Sequence, residues 1–386
     1  MTFPSGSVAI VGVYESPRRR APGMHPFYIQ AEVVAGALKD AGIEPHEVDG
    51  FATAAGLATE SAWQFATAEL AEYLGITPKW MDNSDVGGPA TLSQITHAVA
   101  AINAGLCETV VISYGALGRS SLLPMPDYNS GHDGPGQWEV PYGLSTITAY
   151  ALAAQRHMHE FGTKPEHFAQ ISVQARANAA SNPDAMYRDP ITVDDVLNSA
   201  LLSSPLHKFD CCVVSDSGGA IVLTSAKRAA QFTKQPVYVL GGGEAIGQIQ
   251  MNQMHDMTKT AAQRSARDAF ERAGITHDEV DVAQLYDSFT VTVLLALENL
   301  GFVGPGEAGA FIEDGNLAPT GSLPFNTDGG GLSSNHPGRR GTLATIEAVR
   351  QLQGRSPGVQ LDNPKIALVN GTGANLSTNS TLILGV

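Results

Sequence analysis

Ala37-Leu38-Lys39-Asp40-Ala41-Gly42-Ile43-Glu44-Pro45-His46-Glu47-Val48-Asp49 is echoed far downstream by Ala269-Phe270-Glu271-Arg272-Ala273-Gly274-Ile275-Thr276-His277-Asp278-Glu279-Val280-Asp281. Ala, Ala-Gly-Ile and Glu-Val-Asp recur at identical spacing, and internal repetition constrains architecture before any other signal does. Each copy follows an apolar strand, Val8 to Val13 in one and Val237 to Leu240 in the other. Each leads to a glycine-rich turn and a second helix, Thr91-Leu92 after Gly87-Gly88 and Thr342-Leu343 after the Gly329 run. The closing strands are Thr109 to Ser113 and Lys365 to Asn370. This order predicts two duplicated α/β halves, residues 1–232 and 233–386, each a mostly parallel or mixed sheet covered by helices.

Between the halves' shared elements lies one insertion, at about residues 116–206. Its first part, Leu122 to Gly143, is rich in Pro, Gly, Asp and Asn and reads as a long covering loop. A helical region from about Thr146 to Ala180 follows, with Gly162 as a C-cap and Pro165-Glu166 opening the next helix. The stretch Ser215 to Leu223 ends as a buried strand. Gly241-Gly242-Gly243 lacks a full dinucleotide-binding pattern and is assigned to a turn.

The 386 residues, 43% hydrophobic with 41 glycines, suit a soluble α/β protein. No run of about 18 apolar residues is present, so no membrane span is expected. The N-terminus lacks a basic segment followed by an apolar one, which argues against secretion. Cys107, Cys211 and Cys212 form neither a disulfide framework nor a zinc-ligand spacing, so a reducing cytoplasm is expected and no metal site. The net charge of −15 disfavours a nucleic-acid partner.

Chemistry concentrates in Asn326-Thr327-Asp328-Gly329-Gly330-Gly331-Leu332-Ser333-Ser334-Asn335-His336-Pro337-Gly338, which sets one histidine on a glycine-rich turn ahead of a helix. Glycines let backbone approach a ligand, and Pro337 stiffens the segment beside His336. A polar loop with a surface histidine is the plainer reading of the same composition.

Taken together, the repeated halves, the spacing that ends at His336-Pro337, the Asp210-Cys211-Cys212 to Leu223 strand and Gly371-Thr372-Gly373 resemble the thiolase superfamily over essentially the whole chain. The block Tyr286-Asp287-Ser288-Phe289-Thr290 is most similar to the sterol-carrier or lipid-transfer branch, which includes side-chain aldolases. The resemblance implies a five-layer αβαβα sandwich with an inserted loop domain, an acyl-CoA substrate and a homodimer. It further implies a small OB-fold, zinc-ribbon partner and no cofactor beyond the coenzyme A of the substrate.

The chain departs from a thiolase at the nucleophile. An acyl-transferring thiolase needs a cysteine where a helix terminus can lower its pKa. That position falls near Gly88, within Asn83-Ser84-Asp85-Val86-Gly87-Gly88-Pro89-Ala90. The second cysteine, due near Asn370-Gly371, is also missing. Ser84 precedes the glycines and reads as a turn residue, and Cys107 as a packed thiol. The candidates left are Tyr286, which the resemblance to the aldolase branch implies as acid or base, His336 and the Gly373 and Gly371 amides as donors to a thioester enolate, and Asp287 beside Tyr286, read first as a structural acceptor holding a loop and second as catalytic. Gly87, Gly88, Asn335 and Met254 are candidate substrate contacts, Met254 because Gln248 to Met257 carries three methionines suited to a bulky acyl group. The resemblance implies retro-aldol cleavage of a β-hydroxyacyl-CoA. An atypical thiolase and a non-catalytic acyl-CoA carrier remain open. In the aldolase branch a second tyrosine aligns with His336, so this chain would work with a Tyr/His pair.

Overall fold

The computed structural model describes residues 3–54, 66–121, 134–232 and 235–386. Its strands are β1 (Val8–Glu15), β2 (Gly50–Thr53), β3 (Trp80–Asp82), β4 (Thr109–Leu117), β5 (Leu201–Ser203), β6 (Leu206–His207), β7 (Asp216–Ser225), β8 (Val237–Ile246), β9 (Val282–Leu285), β10 (Ile366–Gly373) and β11 (Thr378–Gly385). Its α-helices are α1 (Pro26–Ala41), α2 (Ala66–Tyr73), α3 (Ala90–Asn103), α4 (Thr146–Phe161), α5 (Pro165–Ala179), α6 (Val193–Leu197), α7 (Ala226–Ala229), α8 (Ala262–Ala273), α9 (Thr290–Asn299), α10 (Ala308–Glu313) and α11 (Gly341–Leu352).

The repeat at Ala37 and Ala269 does the same work twice. Its glycine ends α1 and α8 in the left-handed region, Gly42 at φ 71° and Gly274 at φ 70°, where a side chain would be strained. Its aspartate then reaches the start of the closing strand of the half, β4 or β10. Asp49 accepts from the Glu108 and Thr109 amides at 2.8 and 2.9 Å, and Asp281 from the Lys365 and Ile366 amides at 2.7 and 2.9 Å.

Outward from the middle of the sheet, the first half runs β1-β7-β4-β2-β3 and the second β8-β11-β10-β9. The pairing senses also agree. β1–β7 and β7–β4 are antiparallel and β4–β2 parallel, as β8–β11 and β11–β10 are antiparallel and β10–β9 parallel. A short antiparallel contact joins the halves, Ala9 opposite Tyr238 and Ile10 opposite Val237. Strand β3, parallel to β2, has its counterpart in the second half reduced to a single parallel bridge, Phe325 to Ala283 of β9.

Three apolar clusters define the layers. One joins α1 to the outer face of the first half-sheet through Val33, Val34, Ala37, Val111 and Val222. A central cluster sandwiches α3 and α11 (Leu92, Ile95, Leu343, Ile346) between Ile10, Ile112 and Ile221 of one half and Val282, Val369 and Leu382 of the other. A third packs α4, α5, α8 and α9 on the far face of the second half-sheet, through Ala154, Ile171, Phe270 and Leu294. The sequence α-β-α-β-α is therefore the observed layering.

The insertion behaves as its capping residues predict: α4 stops at Gly162, φ 73°, and α5 starts at Pro165. Most of the expected covering loop, residues 122–133, lies outside the described residues. One sequence expectation is corrected. Gly241-Gly242-Gly243 is not a turn but the middle of β8, opposite Ile383, Leu382 and Thr381. A Cβ on Gly241 would lie 2.2 Å from the Ala269 carbonyl, and one on Gly243 2.1 Å from that of Ser265, so glycine here admits α8 against the strand. Among the described residues no helix is long and apolar enough to cross a membrane.

Candidate active site

Tyr286 follows β9, Gly88 precedes α3, and His336 lies on the loop before α11, so the duplicated fold brings equivalent ends of its two halves together. The rings of Tyr286 and His336 meet edge to face with centroids 5.4 Å apart. The Tyr286 hydroxyl donates to the Gly338 carbonyl at 2.5 Å, and the Gly341 amide donates to the Gly88 carbonyl at 3.2 Å. A Cβ built on Gly88 would stand 2.0 Å from the Thr372 carbonyl oxygen and 2.6 Å from Cε2 and Cζ of Tyr286. The phenol thus fills the space that a side chain at residue 88 would need. Gly87, at φ 79°, makes the turn into this position.

The histidine loop is held from several sides. Asp287 is fully buried and accepts from the Gly331 and Leu332 amides at 2.7 and 3.1 Å, with Arg340 Nε 3.4 Å away. The glycine run makes room for this carboxylate, since a Cβ on Gly330 would sit 2.0 Å from Asp287 Oδ2. Residues Gly330–Ser334 wind as a single π-helical turn, a form frequent at functional sites. Arg340, also fully buried, donates to both Asp328 oxygens at 2.8 Å and to the Asn335 carbonyl at 2.9 Å. Arg339 and Asp85 form a bidentate pair that ties this loop to the Gly87-Gly88 turn.

These contacts bear on two of the candidate residues. Asp287 is a loop anchor, because its oxygens are occupied by backbone amides and faced by Arg340; burial pushes its carboxyl up, against the pull of that guanidinium. Asn335 is fully buried, accepts from Ser215 Oγ at 2.6 Å and donates to Glu15 at 2.9 Å, which leaves its amide holding the loop.

The Gly371 and Gly373 amides belong to the strand ladder. Asn370 accepts from the Tyr286 amide on the β9 side, and alternation along β10 then turns Gly371 and Gly373 toward β11 and Thr372 toward Tyr286. Gly371 instead packs against Pro89, with Cβ-to-Cα clearance of only 2.8 Å, and a Cβ on Gly373 would lie 2.7 Å from the Gly88 nitrogen. Met254 lines a separate cleft of about 180 Å³ with Leu376 and Ser377.

His336 carries the electrostatic character of the site. Its backbone amide donates to Ser215 Oγ at 2.9 Å, and its Nε2 is buried without a hydrogen-bond partner among the described residues. Burial, followed by the nearby Arg340 charge, pushes the imidazole from 6.5 down to about 4. The ring is therefore neutral near pH 7 and can donate one N–H without carrying charge. Between those two values the unfolded chain binds a proton that the folded chain refuses, so stability falls as pH drops from about 6.5 to about 4. Urea unfolding at pH 7 and pH 4.5 is expected to show His336→Gln losing up to about 2 kcal/mol less than the parent between the two conditions. Equal losses would count against a neutral buried ring.

The cysteines offer no replacement nucleophile. Burial pushes the Cys107 thiol up to about 11 and that of Cys211 to about 12, and it raises Cys212 as well. Ser84 hydrogen-bonds Asp82 Oδ1 through both its amide and its hydroxyl, at 2.8 and 2.6 Å, as a turn residue does.

Comparison with known proteins agrees with this geometry. Residues 243–386 match the family model described as thiolase C-terminal domain-like. The chain is 33% identical over 400 residues, covering 100% of it and 99% of its relative, to a steroid side-chain-cleaving aldolase of Thermomonospora curvata. It is 33% identical, covering 99% of this chain and 100% of the other, to the 17-hydroxy-3-oxo-4-pregnene-20-carboxyl-CoA lyase of Mycobacterium tuberculosis. An acetyl-CoA acetyltransferase of Methanothermobacter thermautotrophicus is 30% identical over 96% of this chain and 97% of its own. Among solved structures, an Ltp2–ChsH2 (DUF35) aldolase superposes with a TM-score of 0.90 at 32% identity, covering 100% of this chain and 99% of that one. Human mitochondrial 3-ketoacyl-CoA thiolase shares the fold, with a TM-score of 0.71 at 13% identity over 98% of each chain. The chain belongs to the thiolase superfamily, within its sterol-carrier-type branch.

Proposed function

We propose that this enzyme is a carbon–carbon lyase that cleaves a β-hydroxyacyl-CoA with a bulky acyl group by a retro-aldol reaction. The observation that carries the proposal is the Tyr286 phenol standing where a side chain at residue 88 would be, beside a neutral His336. No acyl-enzyme forms at Gly88, which has no nucleophilic atom. The chemistry left to the site is movement of a proton and stabilisation of an enolate.

The net reaction moves one proton from the β-oxygen to Cα. As the Cα–Cβ bond breaks, its electron pair becomes the thioester enolate and the β-carbon becomes a carbonyl. Tyr286 takes the hydroxyl proton and gives its own to Cα, ending as it began. This exchange requires no phenolate in the resting enzyme. His336, as the Nε2–H tautomer, donates to the enolate oxygen, a role in which one donor typically contributes about 2.7–4 kcal/mol of barrier reduction. A ketone or aldehyde leaves, and a shorter acyl-CoA remains.

The full-length relatives named aldolase and lyase support this reading, and their names support a steroid or similarly large side chain. The aldolase solved as a complex with ChsH2 (DUF35) supports a small partner subunit of the OB-fold, zinc-ribbon type, which we place alongside a homodimer in a cytoplasmic assembly. The test is mass-spectrometric product analysis of β-hydroxyacyl-CoA thioesters and their β-keto counterparts plus free CoA, with and without that partner. A ketone or aldehyde with a shortened acyl-CoA is expected from the hydroxy substrates alone. CoA-dependent cleavage of the keto substrates would overturn the proposal in favour of acyl transfer, the activity named for the archaeal relative.

A further inference from the structure

His336 is held by its backbone. Its Nε2 has no hydrogen-bond partner among the described residues, so the ring is not oriented through that atom. The chain on either side of the ring is fixed instead. Arg340 donates to the Asn335 carbonyl at 2.9 Å, the Tyr114 hydroxyl to the Pro337 carbonyl at 3.0 Å, and the His336 amide itself to Ser215 Oγ at 2.9 Å. Ser215 is fully buried and comes from the first half of the chain, at the entrance to β7. Its own amide meets the His336 carbonyl at 3.4 Å, so the two residues are joined at both ends.

The direction of these bonds is set from a distance. Glu15, at the end of β1, lies between Arg19 and Arg350, whose guanidinium nitrogens are 2.9 and 3.2 Å from its oxygens. A carboxylate between two cations only accepts, so Asn335 turns its Nδ2 to Glu15, at 2.9 Å, and its Oδ1 to Ser215. The single proton of the Ser215 hydroxyl goes to that Oδ1 at 2.6 Å. Lone pairs are what remain on Oγ, and the His336 amide meets them. Each donor in the run from His336 through Ser215 to Asn335 therefore points toward Glu15, and hydrogen bonds aligned in this way polarise and strengthen one another.

We infer that Ser215 is a positioning residue for the proposed cleavage: through the run of bonds that ends on Glu15, it fixes the His336 backbone, and with it the ring, before substrate arrives. The ring then needs no resting partner at Nε2, which stays open for a substrate oxygen. Ser215 acts only through His336. The inference rests on the lyase reading for its effect on rate, and on the hydrogen bonds alone for its effect on the ring.

The test pairs kinetics with NMR of the full chain carrying isotope-labelled histidine. The His336 ring signals are those missing from His336→Gln. Ser215→Ala removes the hydroxyl, whereas Ser215→Cys nearly keeps its shape and puts a weak acceptor in its place, so it carries the test if Ser215→Ala does not fold. Each is expected to lower kcat by about 10- to 100-fold, the scale of a misplaced reacting group, with KM little changed. The His336 ring signals should shift and broaden while those of the other histidines stay as in the parent, which also shows that the variant is folded. Parent-like kcat in Ser215→Cys, a loss that appears in KM instead, or His336 ring signals identical to those of the parent would each overturn the inference. A parent that cleaves no β-hydroxyacyl-CoA would end the lyase reading by itself, and the ring signals alone would then decide the role of Ser215.

Discussion

Gly88→Cys is expected to lower the cleavage rate by about 100-fold or more and to produce no CoA-dependent thiolysis, although it installs a nucleophile at the start of α3. The first atom of the new side chain would meet the Thr372 carbonyl at 2.0 Å and the Tyr286 ring at 2.6 Å. Neither neighbour is the end of a flexible chain. One is strand backbone, and the other is an aromatic ring whose hydroxyl is bonded to Gly338. Relief therefore requires displacing β10 or the phenol, and overpacking of this kind typically costs about 1–3 kcal/mol. A shift of about 1 Å in a reacting group is enough for a 100-fold loss of rate. Turnover and the urea midpoint should both fall. Parent-like values for the two would show that the phenol does not occupy this space.

Tyr286→Phe is expected to reduce kcat by about 10²- to 10⁴-fold with little change in acyl-CoA affinity, because it deletes the proton carrier of the proposed reaction and keeps the ring. The edge-on contact with His336 and the packing against Gly88 survive the substitution. The Gly338 carbonyl loses its donor, a change on the order of 1 kcal/mol in stability. Single-turnover rates and equilibrium binding of a substrate analogue separate the two effects. Unchanged kcat would remove Tyr286 from the chemistry, and a matching loss of affinity would make it a binding residue.

The repeat was legible because its residues do the same local job twice. Gly42 and Gly274 end helices, and Asp49 and Asp281 tie each helix turn to the closing strand of its half. Such interactions span a few residues or one predictable crossover, so spacing alone encodes them. The Tyr286–His336 encounter spans 50 residues and depends on how β9 and the loop before α11 pack, yet both residues stood out by type and family likeness. The supporting residues were harder to read. Arg340, faced by Asp287 and Asp328, looks in the sequence like any helix-start cation, and nothing there says that it is buried. Asn335 beside the histidine invited a substrate role, and only its bonds to Ser215 and Glu15, from the other half of the chain, assign it to structure. The three glycines of β8 were misread because a glycine cluster signals a turn and close helix packing with equal force, and only the approach of α8 distinguishes them.

The unequal ends of the sheet bear on self-association. At the β9 end, the Phe325 segment bridges Ala283, and the Asn326 side chain both accepts from the Leu285 amide and donates to its carbonyl, at 2.8 and 2.9 Å. That border is occupied by the chain itself. The opposite border is β3, three residues long. A fibre built by adding strands to both ends of the large sheet needs two available borders on every copy, and among the described residues that sheet has at most one. Growth by that route ends at a pair, a built-in safeguard against polymerisation in a protein with so extended a sheet.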